Sequence, residues 1–271
     1  YFGILFCVLL LTPTVKSQSK YGEDSVKCVM NLSLYREYYK QKNYDDAIKS
    51  WRWVYKNCPA SSGNIFKNGP TLIKHLMKKN PENKQAYIDT LMMVYNNRVQ
   101  YFEREGYVLG KKGADLIKYS PSSFEQAFNI LEQSIHLQEN ESDAGCLLAY
   151  FKATTLMEKN GKLDKQSVLE SYAKVAEITD YNLVNNPKKE KFYIQAFEII
   201  ETLFGPYANC DDLIGIYSAK FDASTEDFDL LKRITKLLDS KECTNSQLFF
   251  DVTTRLHALA PSALSASKMG K

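Results

Sequence analysis

An all-α chain, folded as an α-solenoid of antiparallel helix hairpins, is what three features of this sequence predict. Apolar residues recur at helical spacing from about Asp24 onward, as they do where one face of each helix turns inward. No stretch alternates polar and apolar residues for long, the pattern a half-buried strand requires. Three helical stretches stop in the same way, at Asn57-Cys58-Pro59, Asn80-Pro81 and Asn185-Asn186-Pro187. Proline has no N–H for the helical ladder, and a stop repeated along the chain points to a repeated hairpin.

Asp24-Ser25 caps the first helix, which carries Val29, Leu32, Tyr35 and Tyr39 inward before the Lys42-Asn43 turn. Its partner holds Ala47, Trp51 and Val54, with Ala47 small where the two helices cross, and ends at Pro59. A second hairpin opens at Pro70 with Leu72, Ile73, Leu76 and Met77. After Pro81 a long helix carries Tyr87, Leu91, Tyr95, Val99 and Phe102.

Tyr107 to Tyr119 follows, stopped by Ser120-Pro121. Gly106, Gly110 and Gly113 invite comparison with a phosphate loop. That loop needs GxxxxGK and a hydroxyl residue after a strand. Here the spacing is one residue short, Lys112 takes the hydroxyl's place and no strand precedes it. Glycines at helical spacing instead let a neighbouring helix approach. The next helix, capped near Ser122-Ser123, turns Phe124, Phe128, Leu131 and Ile135 inward.

Asp143 to Lys159 pairs with Asp164 to Leu183 across Asn160-Gly161-Lys162, the second of these carrying Val168, Tyr172, Val175 and Ile178. Beyond Pro187 come Lys189 to Phe204 (Phe192, Ala196, Phe197, Ile200), the break Gly205-Pro206, and Asp211 to Lys220. Thr225 to Ser240 buries Phe228, Leu231, Ile234 and Leu238, and Ser246 to Ala258 precedes the stop at Pro261.

The chain of 271 residues starts with the apolar run Tyr1 to Leu11, then Thr12-Pro13 and small residues to Ser17. An apolar core, a breaker and small residues before a polar start make a signal peptide. Val15 and Ser17 suit the −3 and −1 positions, which places cleavage after Ser17. The run is too short for a membrane anchor, which needs about 20 apolar residues, and bulky Phe6 before Cys7 excludes a lipid-attachment motif. The net charge of +3, with Lys and Glu interspersed, provides no basic tract for nucleic acid. His75, His136 and His257 have no ligand-like neighbours and there is no CxxC, so neither metal nor cofactor is expected. No Ser-His-Asp or Cys-His arrangement emerges, and an enzyme is not expected.

The stretch Tyr44-Asp45-Asp46-Ala47-Ile48-Lys49-Ser50-Trp51, closed by Val54 and Pro59, resembles the second helix of a tetratricopeptide repeat (TPR), with Leu34, Tyr35 and Tyr38 on the inner face of the first. Asn31 stands where that family usually has Trp, and Tyr35 where it has a small residue. Met269-Gly270 falls where the family has Leu-Gly, so 263–271 reads as the start of a further repeat. Between these two places the helices fit the hairpin plan and not the consensus residues. Lys20 to Ser25, Trp51-Arg52-Trp53 and the late cysteine pair are similar to exported TPR proteins of Bacteroidota.

That resemblance implies residues 18–121 as N-terminal hairpins and 122–262 as a degenerate helical-repeat region. In such a hairpin the start of the first helix lies beside the end of the second. Cys28 and Cys58 occupy those places, which implies a disulfide between them. Cys210 and Cys243, flanking a later helix pair, are expected to form another, and Cys146, beside Leu147, Leu148 and Phe151, a buried thiol. The family binds peptides on the face lined by first helices, here Leu32, Arg36, Tyr39 and Lys40, the two cations bonding an acidic or C-terminal group.

The expected function is therefore a periplasmic or otherwise exported scaffold with a protein or peptide partner, an outer-membrane complex being the setting. A glycan-binding protein is the alternative, in which tyrosines and Trp51/Trp53 would serve as stacking platforms.

Overall fold

The computed structural model describes residues 20–261; the expected signal peptide, 1–17, and the segment 263–271 lie outside the described residues. Those described form twelve α-helices joined by short turns, with no strand among them. They divide into two compact units, one ending at Arg104 and the other beginning at Glu105.

The first unit contains α1 (Ser25–Lys40), α2 (Tyr44–Asn57), α3 (Asn64–Lys79) and α4 (Lys84–Tyr101). Asp24 caps α1 by accepting the Lys27 N–H at 2.9 Å, filling one of the donors a helix start leaves open. Lys42, at φ +60°, turns the chain into α2, where the Asn43 side chain is the cap. Cys28 in the first turn of α1 and Cys58 just beyond α2 stand at disulfide distance, S–S 2.09 Å and Cα–Cα 6.3 Å. The two helices are therefore antiparallel. At the other end of α2, Asp45 accepts from His75 and Lys79 late in α3, so α3 runs back against α2.

Trp51 anchors this unit. It is 2% exposed and its indole N–H donates to the Ile65 carbonyl at 2.8 Å. Gly69 lets α3 sit on it: a Cβ there would meet Trp51 Cζ2 at 2.9 Å and Val94 Cγ1 at 3.0 Å. The expected start of this helix at Pro70 is six residues late. Ile65 and Phe66 are fully buried and extend the helix back to Asn64, leaving Pro70 inside it. Burial of two large side chains, about 1.5–3 kcal/mol each, outweighs the one ladder bond that the proline removes. Along α4 the buried face is Ile88, Leu91, Val94, Tyr95 and Arg98. Val99 is only half-buried, and Phe102 leaves the helix as its extended C-cap, 5.6 Å from the Phe66 ring.

The second unit contains α5 (Glu105–Tyr119), α6 (Phe124–Gln138), α7 (Ala144–Lys159), α8 (Lys165–Asn185), α9 (Glu190–Phe204), α10 (Cys210–Ala223), α11 (Phe228–Ser240) and α12 (Gln247–Leu259). α5, read with the N-terminal hairpins from sequence, packs on α6 and α7 and so stands with this unit. The glycine stripe explains how closely. A Cβ on Gly113 would lie 2.4 Å from Leu131 Cγ, one on Gly110 2.8 Å from Ser134 Oγ, and one on Gly106 2.8 Å from Gln138 Cγ. The start of α5 thus meets the end of α6. α5 also packs on α7, and α7 on α9.

Tyr172 on α8 is the centre of the second core. Its ring stacks on Phe204 at 3.6 Å, and its buried hydroxyl hydrogen-bonds that of Tyr217 on α10. Cys210 and Cys243 stand at disulfide distance, S–S 2.12 Å, across the α10–α11 pair. Cys146 is buried and free. α11 starts at Phe228 rather than Thr225 because the Asp227 side chain caps it, accepting the Leu230 N–H at 3.0 Å. That register leaves Phe228 42% exposed and buries Leu230, while on α9 Phe192 is 53% exposed and Tyr193 takes the inward place.

Candidate functional site

Of the four residues expected to make a binding face on α1, the structure places Leu32 in the core, 7% exposed. Arg36 and Lys40 are exposed, and Tyr39 is half-buried with its ring 5.4 Å from that of Tyr44. The exposed surface of α1 reaches beyond these four residues. Val26, Val29, Met30 and Leu34 are exposed apolar side chains there, and Val29 leaves the inward stripe expected for it. Trp51 is core and offers no platform. Trp53 is half-buried, with the Lys27 ammonium 5.3 Å from its ring centre.

Within the second unit, α8, α9 and α11 enclose a groove of about 420 Å³. Its apolar lining comes from Leu183 and Val184 at the end of α8, Ile194 and Phe197 on α9, and Leu230 on α11. Glu190, Glu198, Asp227, Asp229, Lys232 and Lys236 also line it, together with Asp180, Glu201 and Arg233.

The polar part is a charge cluster drawn from four helices. Asp180 on α8 accepts Lys220 Nζ from α10 at 2.6 Å and an Arg233 N–H from α11 at 2.5 Å. The guanidinium lies 5.0 Å over the Phe197 ring, a cation–π arrangement that strengthens on desolvation. Glu201 on α9 is 9% exposed; its Oε1 makes no hydrogen bond and stands 3.9 Å from Arg233 Nε. Burial pushes the Glu201 carboxyl up to about 7, against the pull of Arg233 and Lys236 and with the push of Glu198 and Asp180. At neutral pH it therefore sits near the midpoint between acid and carboxylate.

Such an arrangement can hold a ligand by apolar contact plus one switchable carboxylate. Among the described residues, no group of three or more His, Cys, Asp or Glu is placed to hold a metal ion. Burial also pushes the Cys146 thiol up to about 11, so it stays protonated and inert at neutral pH.

Sequence reasoning did not reach this groove. A signal was present: Glu201 lies four residues after Phe197 within the apolar stripe of α9, where a charge needs a partner. Which helix supplies Arg233 to it is not written in that spacing.

No protein-family model matches the chain, and no curated protein does. Among solved structures it is similar to the C-terminal part of a TPR repeat-containing protein from Cytophaga hutchinsonii. The match is 16% identical, covers 94% of this chain and 89% of that one, and has a TM-score of 0.42. Nothing about partners follows from a likeness at that level.

Proposed function

We propose that the chain is a non-enzymatic, exported helical scaffold that recognises a protein or peptide partner in the bacterial envelope. The observation that carries this is the groove between α8, α9 and α11. Helices satisfy their own backbone groups, so a helical surface recognises partners through side chains. This groove provides both parts of such recognition, an apolar lining for burial and a few fixed charges for orientation. The two cysteine pairs at disulfide distance support an oxidising compartment, where such bonds persist. On α1, Val26, Val29, Met30 and Leu34 add an apolar contact surface, and the exposed cations Arg36 and Lys40 would bond an acidic group of the partner.

Site-specific photo-crosslinking in the native cell tests this. A photoreactive residue replacing Val184 or Ile194 should give one discrete partner adduct, and the same residue at exposed Gln133 on α6 should not. Adducts no stronger at the groove than at Gln133 would remove the partner-site reading. Recovery of the chain from the cytoplasm with all cysteines reduced would remove export.

A further inference from the structure

The charges around the groove are unevenly matched. Six acids line it, Asp180, Glu190, Glu198, Glu201, Asp227 and Asp229, against Lys232, Arg233 and Lys236. Lys220 adds a fourth base through Asp180. Asp180 is bound by two cations, and the Arg233 guanidinium is shared among Asp180, the Phe197 ring and Glu201, whose Oε1 its Nε approaches to 3.9 Å without a hydrogen bond. Glu201 is different. It is a carboxylate nine-tenths buried in a groove wall, with one oxygen that accepts no hydrogen bond. A buried carboxylate that receives no hydrogen bond from its nearest cation costs the fold free energy, and Glu201 lines the groove where a second cation can approach it.

We propose that the groove binds a partner segment through a lysine ammonium seated on Glu201, with a neighbouring apolar side chain packed on Phe197, Ile194 and Leu230. This rests on the reading of the groove as the partner site and specifies its occupant. Charge complementarity selects that occupant: the excess of acids favours a cation, and the apolar lining favours a residue whose charge rides on a long hydrocarbon stem. A free carboxylate would face Glu190, Glu198 and Asp229 and lose by the same count.

Binding is then linked to protonation of Glu201. The charged and titratable groups facing it are Asp180 and Tyr172 on α8, Glu198 on α9, Tyr217 on α10, and Arg233 and Lys236 on α11. The two phenols are held well above their ordinary value by burial, so they do not change charge near neutrality. Glu201 does. Only its ionised form accepts the ammonium as an ion pair, so affinity rises with pH across neutrality.

Isothermal titration of the full chain with three blocked tripeptides, leucine–X–leucine with X lysine, norleucine or glutamate, tests this. At pH 8 the lysine peptide should bind about tenfold more tightly than the norleucine peptide, the worth of one charge-assisted bond. From pH 6 to pH 8 its affinity should rise about tenfold as Glu201 ionises, while the norleucine peptide stays level. E201Q should bring the lysine peptide down to the norleucine value and abolish its pH dependence. Acetylating the lysine of the probe makes the same comparison on the unaltered chain.

Equal affinity for lysine and norleucine peptides would overturn the proposal. So would a lysine preference that survives E201Q, or tighter binding of the glutamate peptide. If none of the three binds while groove crosslinks at Val184 persist, the ammonium occupant falls and the partner site stands. Loss of both removes the two together.

Discussion

Gly113→Ala is the smallest perturbation that probes how the second unit is packed. The added methyl would lie 2.4 Å from Leu131 Cγ and 2.8 Å from its Cδ2, and Leu131 is fully buried. Overpacking a tight core costs roughly 1–3 kcal/mol, and a separation this short places the cost near the top. Alanine returns up to about 1 kcal/mol of helix propensity. The net expectation is a loss of about 2 kcal/mol. Gly215→Ala is the control: it is exposed inside α10, with nothing within 4 Å of its Cβ position. There only propensity acts, for a gain of about 0.5–1 kcal/mol. Urea unfolding followed by circular dichroism measures both. In a Leu131→Ala background the Gly113→Ala penalty should vanish, because the new methyl enters vacated space. A Gly113→Ala chain as stable as the parent, or a penalty unchanged by Leu131→Ala, would refute the close α5–α6 approach.

Three further outcomes follow from the same structure. Replacing Cys28 and Cys58 with serine opens a loop of 30 residues, and chain entropy sets the loss at about 3.5 kcal/mol, read as a lower urea midpoint relative to the parent under oxidising conditions. Glu201, held up to about 7 by burial, stays protonated in the fold while the unfolded chain ionises near its ordinary value of about 4.3. The native state then binds the extra proton, so stability falls as pH rises through that window, by about 4 kcal/mol; E201Q should flatten this slope, and an unchanged slope would show that Glu201 is not its source. Cys146, buried and held near 11, should resist alkylation at pH 8 in the folded chain and react after denaturation, as peptide mapping would show.

Much of the fold was legible because its signals are local. The cap at Asp24, the turn at Lys42-Asn43, the proline stops and the glycine stripe act within one or two turns of their own positions, and their spacing is visible in one dimension. The same holds for Cys28–Cys58 and Cys210–Cys243, each spanning a single hairpin. What failed were register details on individual helices. Pro70 read as a start, yet burial of Ile65 and Phe66 carries α3 through it. Phe192 and Phe228 read as core, yet their neighbours Tyr193 and Leu230 hold those places. A rotation of one residue about a helix axis is set by the partner helix, which the local pattern does not contain.

By itself the sequence determined an all-α chain of paired helices and where most of those helices stop, and the repeat resemblance supplied which cysteines meet. The groove was decided only by tertiary structure. Asp180, Glu201, Lys220 and Arg233 come from four helices spread over more than fifty positions. No periodicity connects them. They converge because α8, α9, α10 and α11 pack about the Tyr172–Phe204 core, and that packing also withdraws Glu201 from water. Its raised proton affinity is thus a property of the assembled helices, and no isolated helix would have it.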